Sequence, residues 1–144
     1  MIKIDYPAYQ PQIKKENNSE FIFDKLRKQW IVLTPEEWVR QNFLNYIILV
    51  KKYPSSLIAV EKEIKINGLK KRFDIVVYDT NSNPWMLIEC KEMEVALTEK
   101  VLTQTLGYHS FLQSKFIILT NGINCMAFEN NNNQFNAIPE LPNF

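Results

Sequence analysis

At 144 residues and 17.0 kDa, with 46% hydrophobic and 23% charged residues, the chain has the size and composition of one ordinary domain, and intrinsic disorder is excluded. A net charge of +1 argues against a purely electrostatic nucleic-acid binder, so any hold on phosphates must come from a local patch or from another subunit. The longest apolar runs, 46–50 and 116–119, are too short to span a bilayer, and the opening MIKIDYPAYQ lacks a signal-peptide pattern; no membrane and a cytoplasmic location are expected.

Residues 1–20 mix Pro7, Pro11, Tyr6 and Tyr9 with a polar KKENNSE run, and read as an irregular N-terminal arm ahead of a single domain over 21–144. Two short strands follow at 21–24 and 29–33, around the basic turn Lys25-Leu26-Arg27-Lys28. Thr34-Pro35-Glu36-Glu37 predicts a helix start. Thr34 suits the N-cap, Pro35 the first helical position, and Glu37 the capping-box position from which its carboxylate reaches back to the N-cap amide. Val39, Phe43, Tyr46, Ile47 and Val50 form the apolar stripe, and on a 3.6-residue period Glu36 falls within that stripe. An inward acid there is either a partner for the helix dipole or a member of a metal site. The helix ends before Pro54. Residues 57–66 then alternate as a half-exposed strand, with Glu61, Glu63 and Lys65 on the polar face, and Asn67-Gly68 signals a tight turn. Lys70, Lys71 and Arg72 make a local basic patch, which is either a phosphate contact or a solvated turn.

The most informative stretch is FDIVVYDTNSNPWMLIECK, 73–91. It holds two apolar runs parted by turn formers at 79–84, and three charged residues stand where burial calls for apolar ones. Strand side chains alternate, so Glu89 and Lys91 share a face, and Asp74 comes from the neighbouring strand. Two carboxylates beside a lysine suit phosphodiester hydrolysis assisted by a divalent cation. A bare E-x-K is far more often a surface ion pair, and the ordered set of acid, strand, turn, strand, E-x-K and helix is what favours the functional reading. The following helix, from Thr98 or Glu99 to about Gln113, stacks Gln104 and Tyr108 on one face, either as packing or as part of the site. His109 reads as an ordinary helix residue. A buried strand at 116–120, a turn at Asn121-Gly122, a strand at 125–128, and a remainder over 129–144 that begins with an Asn-rich turn and ends in an irregular tail with Pro139 and Pro142, complete the chain. Cys90 and Cys125 lack metal-ligand spacing and read as small core residues in a reducing compartment.

Asp74 followed by Glu89-Cys90-Lys91 resembles the signature of the PD-(D/E)xK nuclease superfamily, and Gln104 with Tyr108 matches the Q-x-x-x-Y pattern of its RecB-like branch. With Leu33-Thr34-Pro35-Glu36-Glu37-Trp38-Val39-Arg40-Gln41 and Leu119-Thr120-Asn121-Gly122, the chain is similar to the N-terminal nuclease domain of type I restriction enzyme R subunits, especially small stand-alone members. That resemblance implies an α/β fold with a mixed sheet in the order αβββαβ, flanked by helices. It implies Asp74, Glu89, Lys91 and Gln104 as catalytic residues, Asp74, Glu89 and Glu36 as ligands of Mg²⁺ (with Mn²⁺ as substitute), and Tyr108, Arg72 and Lys71 on the substrate. DNA is the implied partner, with a second copy or a restriction-modification subunit beside it. The chain has no G-x-x-x-x-G-K-[ST] loop, so neither nucleotide binding nor ATP-driven translocation is expected of this polypeptide. The competing expectations are a non-cleaving module of the same fold that binds nucleic acid or a protein, and an unrelated α/β protein whose E-x-K is a surface pair.

Overall fold

Tight turns, more than long loops, set the order of the strands. The computed structural model describes residues 1–66, 68–109 and 114–144, apart from the side chains of Ile66, Leu69, Tyr108 and His109. β1 (Ile13–Glu16), β2 (Ser19–Asp24) and β3 (Gln29–Val32) form a three-stranded antiparallel sheet. The residues expected to be an irregular arm thus include a strand. Its cause is the pair Asn17 and Asn18, at φ 50° and 65° between the partners Glu16 and Ser19. Two successive left-handed residues make the mirror-image turn whose twist matches a hairpin, and asparagine tolerates that conformation better than most residues.

α1 (Pro35–Leu49) begins as its sequence dictates, with the Thr34 hydroxyl accepting the Glu37 N–H at 3.0 Å. After it come β4 (Ile58–Ile66), β5 (Leu69–Tyr78), β6 (Pro84–Cys90), α2 (Glu99–His109), β7 (Phe116–Thr120), β8 (Cys125–Asn131) and β9 (Gln134–Ile138). These six strands form one sheet in sequence order, antiparallel except where β6 meets β7 in parallel. A parallel pair requires a crossover, and α2 provides it. The expected order αβββαβ and the mixed sheet are therefore present. β9 is an addition, made by a second Asn-Asn turn: Asn132 and Asn133 stand at φ 53° and 66° between the partners Asn131 and Gln134. Of the expected Asn67-Gly68 turn, Asn67 lies outside the described residues, as do residues 110–113 at the expected end of the second helix. No helix among the described residues is long and apolar enough to cross a membrane.

One face of the sheet packs on α1. Val39, Phe43, Leu44 and Ile47 meet Ile75, Val77, Met86, Ile88, Cys90 and Ile118 in a buried cluster. Burial of side chains such as Phe43 and Ile47 is worth about 1.5–3 kcal/mol each. On the same helix Tyr46 is only partly buried and Val50 is 47% exposed, so the apolar stripe narrows toward its C-terminus. Cys90 and Cys125 are free thiols in the core, as expected. Gly122, at φ +87° after β7, lies so near α1 that an added Cβ would stand 3.2 Å from Val39 Cγ2. That close approach seats the end of β7 against the first turn of α1, beside the acid–lysine strand.

Candidate active site

Strand register brings three carboxylates into one row. Extending the pairing of Ile75 with Ile88 by one residue sets Asp74 opposite Glu89, and on the other side Glu61 falls opposite Asp74 between the pairs Val60–Ile75 and Lys62–Phe73. Neither position continues the ladder. Glu61 adopts φ +53°, and the Cys90 N–H donates to Asp74 Oδ2 at 2.7 Å. On its far side the strand stays anchored, since the Lys91 N–H donates to the Thr120 carbonyl at 2.8 Å. The acid–x–lysine segment is thereby held from both neighbouring strands.

Crowding has an electrostatic cost. Burial, the charge of Asp74 and a hydrogen bond shared with Asp74 push the Glu89 carboxyl up to about 9, against the opposing pull of Lys91 and Lys71. Glu36 is also raised, by burial and by Asp74, although Lys91 and Arg40 act the other way. Lys71 is lowered by burial first, with Glu89 opposing and Lys91 reinforcing that shift. A carboxyl pair that must hold a proton to tolerate its own proximity is one that a divalent cation suits, and Mg²⁺ is commonly held by only one or two carboxylates. The donor chemistry fits at Asp74 and Glu89. Among the described residues, no group of three or more His, Cys, Asp and Glu side chains is arranged to hold a metal ion.

Behind the row stands Arg40, only 7% exposed at its side chain. Its Nη2 lies 2.7 Å from Asp74 Oδ1, 2.5 Å from Glu61 Oε1 and 3.8 Å from Glu36 Oε1. Its Nη1 donates to Glu37, which also accepts from Arg27. Arg27 Nε donates to Asp24 Oδ2 at 2.6 Å, and Gln41 Nε2 donates to that same oxygen at 2.9 Å. Burial acts against the charge of Arg40, yet Asp74, Glu37 and Glu61 outweigh it and hold its pKa above the usual value. Glu37 is thus buried in an ion-pair network that ties the β1–β3 sheet to α1. The carboxylate reach back to the N-cap amide, expected from the capping box, gives way to these stronger charge-assisted bonds.

In front of the row opens a cavity of about 550 Å³, lined by Glu36, Lys71, Arg72, Glu89, Lys91 and Gln104, with Val95 and Val101 on its apolar side. The structure brings these six expected residues to one place, and sets Asp74, 12% exposed, directly behind Glu89. Arg72 is 64% exposed and pairs with Glu61 at 3.6 Å. Tyr108 belongs to α2, but its side chain lies outside the described residues. Two members escaped the sequence reading. Arg40 carried a signal in its spacing, three and four residues after Glu37 and Glu36 on one helix. Glu61 carried none, because alternation assigned it to a solvated face and its left-handed backbone turns it to the site.

Comparison with protein families gives a match over residues 35–142 to the family described as type I restriction enzyme R protein N terminus. No curated protein matches the chain. The matched span runs from the first turn of α1 past β9, and so takes in every residue of the cavity and of the carboxylate row.

Proposed function

Because the chain belongs to the type I restriction enzyme R protein N-terminal family, we propose that it is a nuclease of PD-(D/E)xK type that hydrolyses DNA phosphodiesters with a divalent cation. The observation that carries this reading is the meeting of Glu89 with Asp74 beside Lys91 at the wall of an open cavity whose lining mixes acids with Lys71, Arg72 and Lys91. Asp74 and Glu89 would hold Mg²⁺ or Mn²⁺, with Glu36 as a third acid. When bound, such an ion lowers the pKa of a water and neutralises charge on a phosphate.

The chain's own side chains supply the rest. Lys91 places a positive charge in the cavity, where it orients a nucleophilic water and offsets charge developing on the phosphate oxygens. Lys71 and Arg72 meet the DNA backbone at the cavity rim, and Gln104 from α2 positions a phosphate or the Lys91 ammonium. Tyr108, one helical turn beyond Gln104, extends that role. Net charge near zero leaves the remaining phosphate contacts to a second copy or a restriction-modification subunit, in a reducing cytoplasm that keeps Cys90 and Cys125 as thiols.

Duplex DNA incubated with the protein and Mg²⁺ or Mn²⁺ tests the reading. The wild type is expected to cleave, and Lys91→Ala to cleave slower by about 10²–10³-fold, the usual cost of removing one transition-state charge stabiliser, while still binding DNA. Undiminished cleavage by the variant overturns the assignment. A second reading, a non-cleaving module that only binds DNA, draws on Asp74, both of whose oxygens already accept hydrogen bonds. DNA binding without metal-dependent cleavage by the wild type selects it.

A further inference from the structure

We infer that the Arg40 guanidinium serves this site as its second cation: it fills the space between Glu36, Glu61 and Asp74 and keeps a divalent ion out of it. This deepens the nuclease reading and rests on it only for the place of a first ion, at Asp74 and Glu89. Geometry carries the inference. A single nitrogen, Nη2, lies 2.5 Å from Glu61, 2.7 Å from Asp74 and 3.8 Å from Glu36, so it collects carboxylates from β4, β5 and α1. An ion gathering those same oxygens would need the volume that this nitrogen occupies.

The guanidinium is also fixed in place. Nη1 is bound to Glu37, itself held by Arg27 and Gln41, and Nε is buried without a hydrogen-bond partner among the described residues. An arginine does not give up its proton at any accessible pH, so this charge is permanent where a metal ion would come and go. Glu61 reaches it only by holding φ +53° within a strand, a conformation that ordinary sheet pairing does not call for. Arg40 does not line the cavity. It is therefore a positioning residue: it aims Asp74 and offsets the row's negative charge, and the reacting phosphate meets one ion and Lys91.

Counting bound Mn²⁺ by equilibrium dialysis of the full chain, together with melting temperature, tests this without reference to cleavage. Arg40→Gln is expected to bind one more ion per chain than the wild type, and to gain more in melting temperature on adding Mn²⁺. Combining Arg40→Gln with Glu61→Gln should remove the extra ion. A folded Arg40→Gln that gains no ion, a double variant that keeps it, or a wild type that binds two ions overturns the inference. Should Arg40→Gln not fold, Glu61→Gln in the wild-type background decides: an unchanged count upholds the inference and a lost ion overturns it. A wild type that binds none while Arg40→Gln binds one leaves the inference standing and removes the metal from the nuclease reading.

Discussion

Around Asp24, which is fully buried, and around Asp74, which is 12% exposed, the chain surrounds its carboxylates differently. Asp24 accepts from the Arg27 guanidinium, from two backbone N–H groups and from Gln41, and its pKa is lowered although burial alone would raise it. Asp74 faces Glu89, whose pKa goes up. The first cluster is satisfied by the chain itself. The second retains an electrostatic conflict between Asp74 and Glu89, even with Arg40 on Asp74. Local satisfaction marks the part that holds the sheets together, and local conflict marks the part where the proposed site lies. Arg40 joins the two, donating to Glu37 on one side and to Asp74 on the other.

Removing a hub of the satisfied cluster should have the largest effect. Glu37→Ala takes a buried carboxylate from both Arg27 and Arg40, which keep Asp24 and the pair Asp74 and Glu61 respectively, and is expected to cost about 1.5–3 kcal/mol, read by urea denaturation; a loss below ~1 kcal/mol would place the network among ordinary surface pairs. The conflicted cluster should answer differently, to pH. Glu89 has a folded-state pKa raised from its ordinary 4.5 to about 9, so its contribution to stability is fully present below 4.5 and is lost as pH rises through about 9. Metal-free wild type should therefore melt at falling temperature across that window, and Glu89→Gln should flatten the slope. An unchanged slope would mean that Glu89 is not held protonated in the folded chain. Asp24 supplies the opposite sign, since its lowered pKa gives stability present above 3.8 and lost as pH falls through its folded value. The smallest effect belongs to the rim. Gln104→Ala should slow DNA cleavage about fivefold, the worth of one hydrogen bond of about 1 kcal/mol, with no change in melting temperature.

What was legible in the chain was local. Thr34-Pro35-Glu36-Glu37 announces a helix by cap chemistry that acts within one turn, and the apolar runs from 73 to 90 announce two strands by their alternation and the turn between them. The acid–x–lysine set was readable because strand alternation fixes which residues share a face. The Asn17-Asn18 turn, and the return strand β9 after the Asn-rich turn at 132–133, were missed because glycine is the usual second residue of hairpin turns, and asparagine in both positions does the same work less conspicuously. Arg40 was half legible: its spacing to Glu36 and Glu37 is helical, but its reach to the site is not. Its partner Asp74 lies 34 residues away and the neighbouring Gln41–Asp24 bond spans 17, so neither follows from any helical or strand period. Glu37 illustrates the same limit, because the sequence offered it a local bond to the helix cap and the folded chain gave it two guanidinium groups instead.

The backbone at Glu61 has an effect beyond the pocket. β4 is an outermost strand of the six-stranded sheet, where a straight run of free amides and carbonyls invites another molecule to add on and so to polymerise. A left-handed residue midway along that strand, among the alternating charges of Lys62, Glu63 and Lys65, denies an incoming chain a continuous template. The kink that turns one carboxylate inward thus also protects the border of the sheet from runaway self-association.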